Sequence, residues 1–154
     1  MMSFTTDFSQ VQEHPEFKAQ PYEMIVYDAR EETNKNGKTC VLIDYVVRND
    51  VRQEMQNMHL WSRQYKMSDN KYHNGILMGK AKALGIQEGR QYADFDAFLK
   101  DFVNKTAKVT VKLGDFGPEA RFVNPSALPE CHHVWKEKLE SAKADEIEKD
   151  DLPF

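Results

Sequence analysis

The chain has 154 residues, 40% of them hydrophobic and 17 of them aromatic, which suffices for one domain of about 100–130 residues with flanking arms. No stretch approaches the roughly 18 consecutive apolar residues that a membrane span needs, and no basic-then-apolar secretion signal opens the chain, so we expect a cytoplasmic protein. The formal net charge of -4 is uneven: residues 136–154 hold seven acids and four lysines, whereas residues 22–126 hold 16 Lys plus Arg and 14 Asp plus Glu. A mildly basic body followed by an acidic tail is the charge distribution that competition between the tail and nucleic acid for one groove would require.

The first part of the chain predicts a meander of three strands. Residues 1–20 show no long period and are predicted to form an arm that packs on the body. Strand-forming runs at 22–30 and 39–47 are joined by Asn36-Gly37, the strongest short hairpin signal. A third run, at 53–65, alternates in the manner of a half-buried strand.

The second part predicts two helices and then two strands. Apolar residues recur every three or four positions at 72–84, after a candidate cap at Ser68-Asp69-Asn70, and at 94–103, and strand patterns return at 105–113 and 119–123. Three strands, a helical connection and two strands is the order of an OB-fold barrel, so the sequence predicts a mainly β domain over residues 21–127. Pro129 marks a break, and residues 128–154 are predicted to be a flexible charged tail with a short helix at 134–144.

If an OB-fold of this kind binds nucleic acid, its groove supplies the candidate binding residues. Binding a single strand without sequence preference requires cations along the phosphates and flat rings on which bases stack. The OB groove is formed by strands two and three with the loops joining strands one to two and four to five. These places supply Lys35, Lys38, Tyr45, Arg48, Arg52, Trp61, Arg63, Tyr65, Lys66, Phe116 and Arg121. The alternatives are that the rings belong to the core and that single Lys or Arg residues are ordinary surface.

The last five residues, Asp150-Asp151-Leu152-Pro153-Phe154, form a compact candidate for partner binding. The aromatic ring and carboxylates suit an apolar pocket with a basic rim, and proline lowers the entropy lost on docking. This tip resembles that of bacterial and phage single-stranded DNA-binding proteins. The resemblance implies an OB-fold that coats single-stranded DNA and a tail that recruits replication, recombination and repair proteins, in the host cytoplasm if the protein is phage-encoded.

The body is also similar to small phage-encoded proteins of that type over about residues 7–125. This similarity rests on the layout and on Lys35-Asn36-Gly37-Lys38. The helical length between the third and fourth strands departs from the compact bacterial pattern, which leaves the oligomeric state open, including the tetramer of that group.

Other functions have less support in the sequence. Cys131-His132-His133 groups three potential metal ligands, but no second spaced pair accompanies them, so we expect no metal or other cofactor. No motif for nucleophilic or phosphate-transfer chemistry is present, and we expect no enzyme activity. Cys40 and Cys131 are expected to be reduced. The main alternative is an adaptor whose barrel binds protein rather than DNA; another is a metal-dependent nuclease, whose activity chelation would abolish.

Overall fold

The computed structural model of the chain describes residues 4–6 and 16–135. Within these residues five strands and two helices follow one another in the predicted order. They are β1 (Pro21–Thr33), β2 (Thr39–Val47), β3 (His59–Tyr65), α1 (Asn74–Ala83), α2 (Phe95–Lys100), β4 (Thr106–Gly114) and β5 (Gly117–Pro125). The prediction of a mainly β domain with a helical connection between the third and fourth strands is confirmed.

The strands form one antiparallel sheet in the order β3-β2-β1-β4-β5. β1 serves both halves of this sheet: residues 21–25 pair with β4, and residues 24–33 pair with β2. A bulge between Val26 and Asp28 lies within the β1–β2 ladder, just beyond the residues paired with β4, where an extra residue bends the strand. β3 and β5 are the edges of the described sheet; no ladder joins them, although some of their Cα atoms lie within 8 Å of each other.

The β1–β2 hairpin is held by Asn34. Its side-chain oxygen accepts hydrogen bonds from the backbone N–H groups of Asn36 and Lys38, both at 2.9 Å. Gly37 has a φ of 79°, which a residue without a Cβ adopts without strain. The turn chemistry predicted for Asn36-Gly37 is therefore confirmed, and it fixes the positions of the two hairpin lysines' backbones.

β3 begins later than the predicted strand at 53–65. Residues 54–57 form turns instead, with Met55 and Asn57 in the left-handed region at φ of 66° and 71°. The Gln53 side chain stabilises this loop: its oxygen accepts from the Glu23 N–H at 3.0 Å, and its amide donates to the carbonyls of Glu23 and Arg48. The alternating pattern thus spans a turn and a strand, and only its second half is extended.

The core lies on one face of the sheet and is covered by the helical connection. The buried residues come from β1, β2, β3, β4 and both helices, and include Met24, Val26, Val41, Ile43, Tyr45, Val47, Leu60, Leu77, Leu99, Phe102 and Val109. α1 is capped by the His73 ring, which accepts from the Ile76 N–H at 3.2 Å, rather than by the predicted Ser68–Asn70. Asn70 instead has a φ of 63° within a turn. Both helices in the described part of the chain fall short of what a membrane span requires.

β4 and β5 form a hairpin whose tip extends past the rest of the sheet. Thr110 pairs with Pro21, the first residue of β1, so the residues beyond it lie outside the β1 ladder. β5 carries Pro118 and Pro125, and its register with β4 shifts between Thr110 and Val111. The regular pairing of β5 with β4 is therefore broken by a bulge, and prolines lie at both ends of the strand.

Candidate nucleic-acid interface

The outward face of β3 carries three of the predicted residues. Side chains alternate along a strand, and because Leu60 and Gln64 are buried, Trp61, Arg63 and Tyr65 point away from the core. Trp61 is 52% exposed and Tyr65 is 44% exposed. The strand therefore presents two rings separated by a cation on one accessible face.

A cleft lies where the end of β3 meets the β1–β2 hairpin. Its volume is about 630 Å³, and it is lined by Asn34, Asn36, Gly37, Lys38, Thr39, Tyr65, Lys66, Met67, Ser68 and Asn70. The Lys66 N–H donates to the Thr39 carbonyl at 3.0 Å, so the chain after β3 stays beside the hairpin. The structure thus brings Lys38 of the β1–β2 hairpin together with Tyr65 and Lys66 at the end of β3.

The charges around this cleft are mixed. Arg63 Nε lies 3.8 Å from Glu32 Oε2, and both side chains are nearly half exposed, so solvent weakens this ion pair. Tyr72 donates to Glu31 Oε2 at 2.7 Å, and its pKa is raised by burial and by that carboxylate. Lys66 Nζ lies 5.5 Å from the centre of the Tyr72 ring. Glu31 and Glu32 therefore each have a partner within the protein, and Lys66 is held at the cleft beside the Tyr72 ring.

A group of rings surrounds the start of β3. His59 stacks on Trp61 with ring centres 5.4 Å apart and planes 12° from parallel. Its Nδ1 lies 2.7 Å from Asp44 Oδ1, which fixes the orientation of the imidazole. Tyr27 meets His59 edge-on at 5.6 Å. One face of the Trp61 ring therefore packs on His59, which is held in turn by Asp44 and Tyr27.

Residues 126–135, which we name the strap, fold back onto the body. Arg48 donates to the carbonyls of Leu128 and Glu130 at 2.6 and 3.0 Å, and Glu23 accepts from the Ser126 hydroxyl and the Ala127 N–H at 2.6 and 3.0 Å. Further contacts join Asn49 to His133 and Val134, and Asp50 to His132. Contacts with the body therefore continue past the predicted domain boundary at residue 127.

Arg48 is an internal anchor of the strap and not a surface cation. It is 1% exposed, and its guanidinium bonds Asp50 at 2.9 and 2.6 Å. The Asp50 hydrogen bonds raise the pKa of Arg48, and the Arg48 hydrogen bonds in turn lower the pKa of Asp50 to about 2. The expectation that Arg48 contacts DNA is corrected, since a phosphate would have to displace these buried partners.

Tyr45 is likewise internal. Its side chain is wholly buried among the core residues, and burial raises its pKa. Within the described residues its hydroxyl has no hydrogen-bond partner. A base cannot stack on a ring that has no exposed face, so the stacking role predicted for Tyr45 is corrected in favour of packing.

The remaining predicted residues lie on the surface but do not line the cleft. Lys35 is exposed in the β1–β2 hairpin and Arg52 in the β2–β3 loop. Phe116 is fully exposed at the turn of the β4–β5 hairpin, and Arg121 on β5 covers the Phe122 ring at 5.0 Å. The predicted tip, Asp150 to Phe154, lies outside the described residues.

The histidines of the Cys131-His132-His133 group take part in the strap. His133 Nδ1 accepts from the Asn49 N–H at 3.0 Å, and burial lowers the pKa of His133, which favours the neutral ring. Over residues 4–6 and 16–135, no three His, Cys, Asp or Glu side chains converge in a way that would hold a metal ion.

Comparison with protein families gives one match that covers most of the chain. The model described as "Protein of unknown function (DUF669)" matches residues 4–128. No curated protein matches the chain. The match spans all five strands, both helices and the first residues of the strap.

Proposed function

The chain belongs to the DUF669 family of proteins of unknown function, and we propose that this member binds single-stranded DNA without sequence preference on the outward face of β3. The observation that carries the proposal is the alternation of Trp61, Arg63 and Tyr65 on that face, with Tyr65 continuing into a cleft beside Lys38 and Lys66. No chemical step is involved; the protein covers and protects the strand during replication, recombination and repair.

The physical requirements of single-strand binding support this proposal. Every base has a flat π-face, so exposed rings accept bases of any sequence, whereas cations between the rings attract the phosphates. Trp61 and Tyr65 supply the rings, and Arg63, Lys38 and Lys66 supply the cations. The buried Tyr45 and Arg48 have no part in the surface.

The strand order supports an OB-fold as the finer description of the domain. A sheet in the order β3-β2-β1-β4-β5 becomes a five-stranded barrel when β3 closes on β5. Some Cα atoms of these two edges lie within 8 Å of each other, and a bulge bends β1 within the β1–β2 ladder. OB-folds are partly open barrels that bind oligonucleotides on strands two and three, which is where the proposed surface lies.

The test is the affinity for a thymidine oligomer, measured by quenching of tryptophan fluorescence at low and moderate salt. We expect affinity to fall as salt rises, because bound phosphates release counterions. Replacing Lys38 and Lys66 together by alanine should weaken binding and reduce the slope of log affinity against log salt by about 1.4, at roughly 0.7 per phosphate contact.

Lys100→Ala is the matched control for these lysine variants. Lys100 is exposed on α2, pairs with Asp96 at 3.0 Å and does not line the cleft, so the salt slope should not change. Absence of binding at low salt would contradict the proposal. It would favour the alternative function, an adaptor in which the same domain binds protein.

The acidic tip is proposed to recruit replication and recombination proteins, on the basis of its resemblance to the tips of single-stranded DNA-binding proteins. The acidic tail is also proposed to compete with DNA for the basic surface. Deleting residues 150–154 should therefore leave DNA affinity equal or tighter while removing recruitment of a replication or recombination partner. Weaker DNA binding by the deleted form, compared in the same oligomer titration, would count against the competition.

A further inference from the structure

The strap places a second tryptophan beside the proposed DNA surface. The Trp135 ring contacts Tyr27 at 5.2 Å between ring centres and His133 at 4.4 Å. Tyr27 in turn meets His59, on which Trp61 stacks. Trp61 and Trp135 are the two tryptophans of the chain, and both belong to this connected group of rings.

The strap is built to hold Trp135 in that position. Val134, the preceding residue, is fixed by both backbone groups: its N–H donates to Asn49 Oδ1 at 3.0 Å, and its carbonyl accepts from Asn49 Nδ2 at 2.7 Å. Asn49 Nδ2 also donates to Asn57 Oδ1 at 2.8 Å, so the residue that holds Val134 is itself tied to the far end of the β2–β3 loop. These hydrogen bonds fix the backbone immediately before Trp135, whose ring lies against Tyr27 and His133.

We propose that Trp135 is a second stacking residue for single-stranded DNA, which extends the surface from β3 across Tyr27 to the strap. This inference rests on the proposed function and adds to it a path for the strand. The bases that follow the one stacked on Trp61 would pass the edge of the Tyr27 and His59 pair and reach the half-buried Trp135 ring. Because ring stacking is indifferent to base identity, the longer path increases affinity without adding sequence preference.

Single-tryptophan variants test this path directly. In Trp61→Phe the remaining emission comes from Trp135, and in Trp135→Phe it comes from Trp61. A thymidine oligomer should quench Trp135 emission in Trp61→Phe and protect that ring from acrylamide. The inference would be overturned if the oligomer quenched Trp61 emission in Trp135→Phe but left Trp135 emission and its quenching by acrylamide unchanged in Trp61→Phe. That result would leave the proposed function intact. Absence of binding by the wild-type chain would instead overturn the proposed function.

A second comparison separates stacking from support of the strap. Trp135→Leu should lower affinity for the oligomer by about 5- to 150-fold, the loss expected for one stacked base, whereas Trp135→Phe, which keeps a ring, should retain most of it. Val134→Ala, in an exposed neighbour on the same strap, should leave the affinity unchanged. Equal affinities of the leucine and phenylalanine variants would show that Trp135 only packs and would contradict the inference.

Discussion

Replacing Arg48 by methionine is expected to lower the free energy of unfolding by about 3–5 kcal/mol, as is typical when one partner of a buried ion pair is removed. The change leaves Asp50 and Glu23 without a buried cation and leaves the Leu128 and Glu130 carbonyls without their donor. Urea unfolding followed by circular dichroism measures the effect. Arg52→Met, at an exposed position in the same loop region, should change stability by less than about 0.5 kcal/mol. A loss below about 1 kcal/mol for Arg48→Met would contradict the anchoring role.

The same ion pair gives the stability a dependence on pH, which provides an independent check. The pKa of Asp50 is about 2 in the folded chain and 3.8 without its partners. Because the folded pKa is the lower one, this contribution is complete above about pH 4 and is lost as pH falls towards 2. The lowered pKa of Asp50 corresponds to about 2 kcal/mol of folding stability. The difference in free energy of unfolding between wild type and Asp50→Asn should therefore shrink as pH falls over this range.

Removing Trp61 and Tyr65 together is expected to weaken binding of a thymidine oligomer by at least about 30-fold. Each stacked base contributes about 1–3 kcal/mol, and the two rings lie four residues apart on the same face of β3, so each can hold its own base. Fluorescence anisotropy of a labelled oligomer measures this loss without relying on Trp61 emission. Both rings are about half exposed, so the alanine variants should keep their fold.

Phe122→Ala is the matched control for this double variant. Phe122 is 53% exposed, close to the 52% of Trp61, but it lies on β5. Its removal should leave affinity unchanged. An equal loss in Phe122→Ala and in the double variant would place the binding surface on the β4–β5 hairpin and not on β3.

The order of the elements followed from local sequence patterns because each strand and helix carries its own signal. β2 was predicted with the bounds that the structure shows, since an apolar run follows a strong hairpin turn. The beginning of β3 was predicted wrongly because positive φ angles at Met55 and Asn57 depend on the contacts of Gln53 with distant backbone groups. Period-two alternation contains no information on such contacts.

The candidate site could be predicted only in part. Trp61 and Tyr65 were chosen because they lie in the third strand of the expected groove, with core packing as the alternative, and the structure leaves both rings about half exposed. Almost every residue of β2 is buried, and parity alone could not show that Tyr45 faces the core. The burial of Arg48 and the position of Trp135 depend on the return of the strap to residues more than 80 positions earlier in the chain. No local sequence pattern predicts that the strap folds back onto the body.

The bulge and the prolines of β5 also affect how readily the edge of this strand could pair with a strand of another copy. An exposed strand edge offers unpaired N–H and C=O groups to any other extended chain and so favours aggregation. Pro118 and Pro125 have no N–H to offer, and the bulge opposite Thr110 and Val111 breaks the regular spacing of the remaining groups. The β5 edge therefore offers fewer regularly spaced backbone donors to a strand of another copy than an uninterrupted edge strand would, which disfavours a continuous intermolecular sheet through β5.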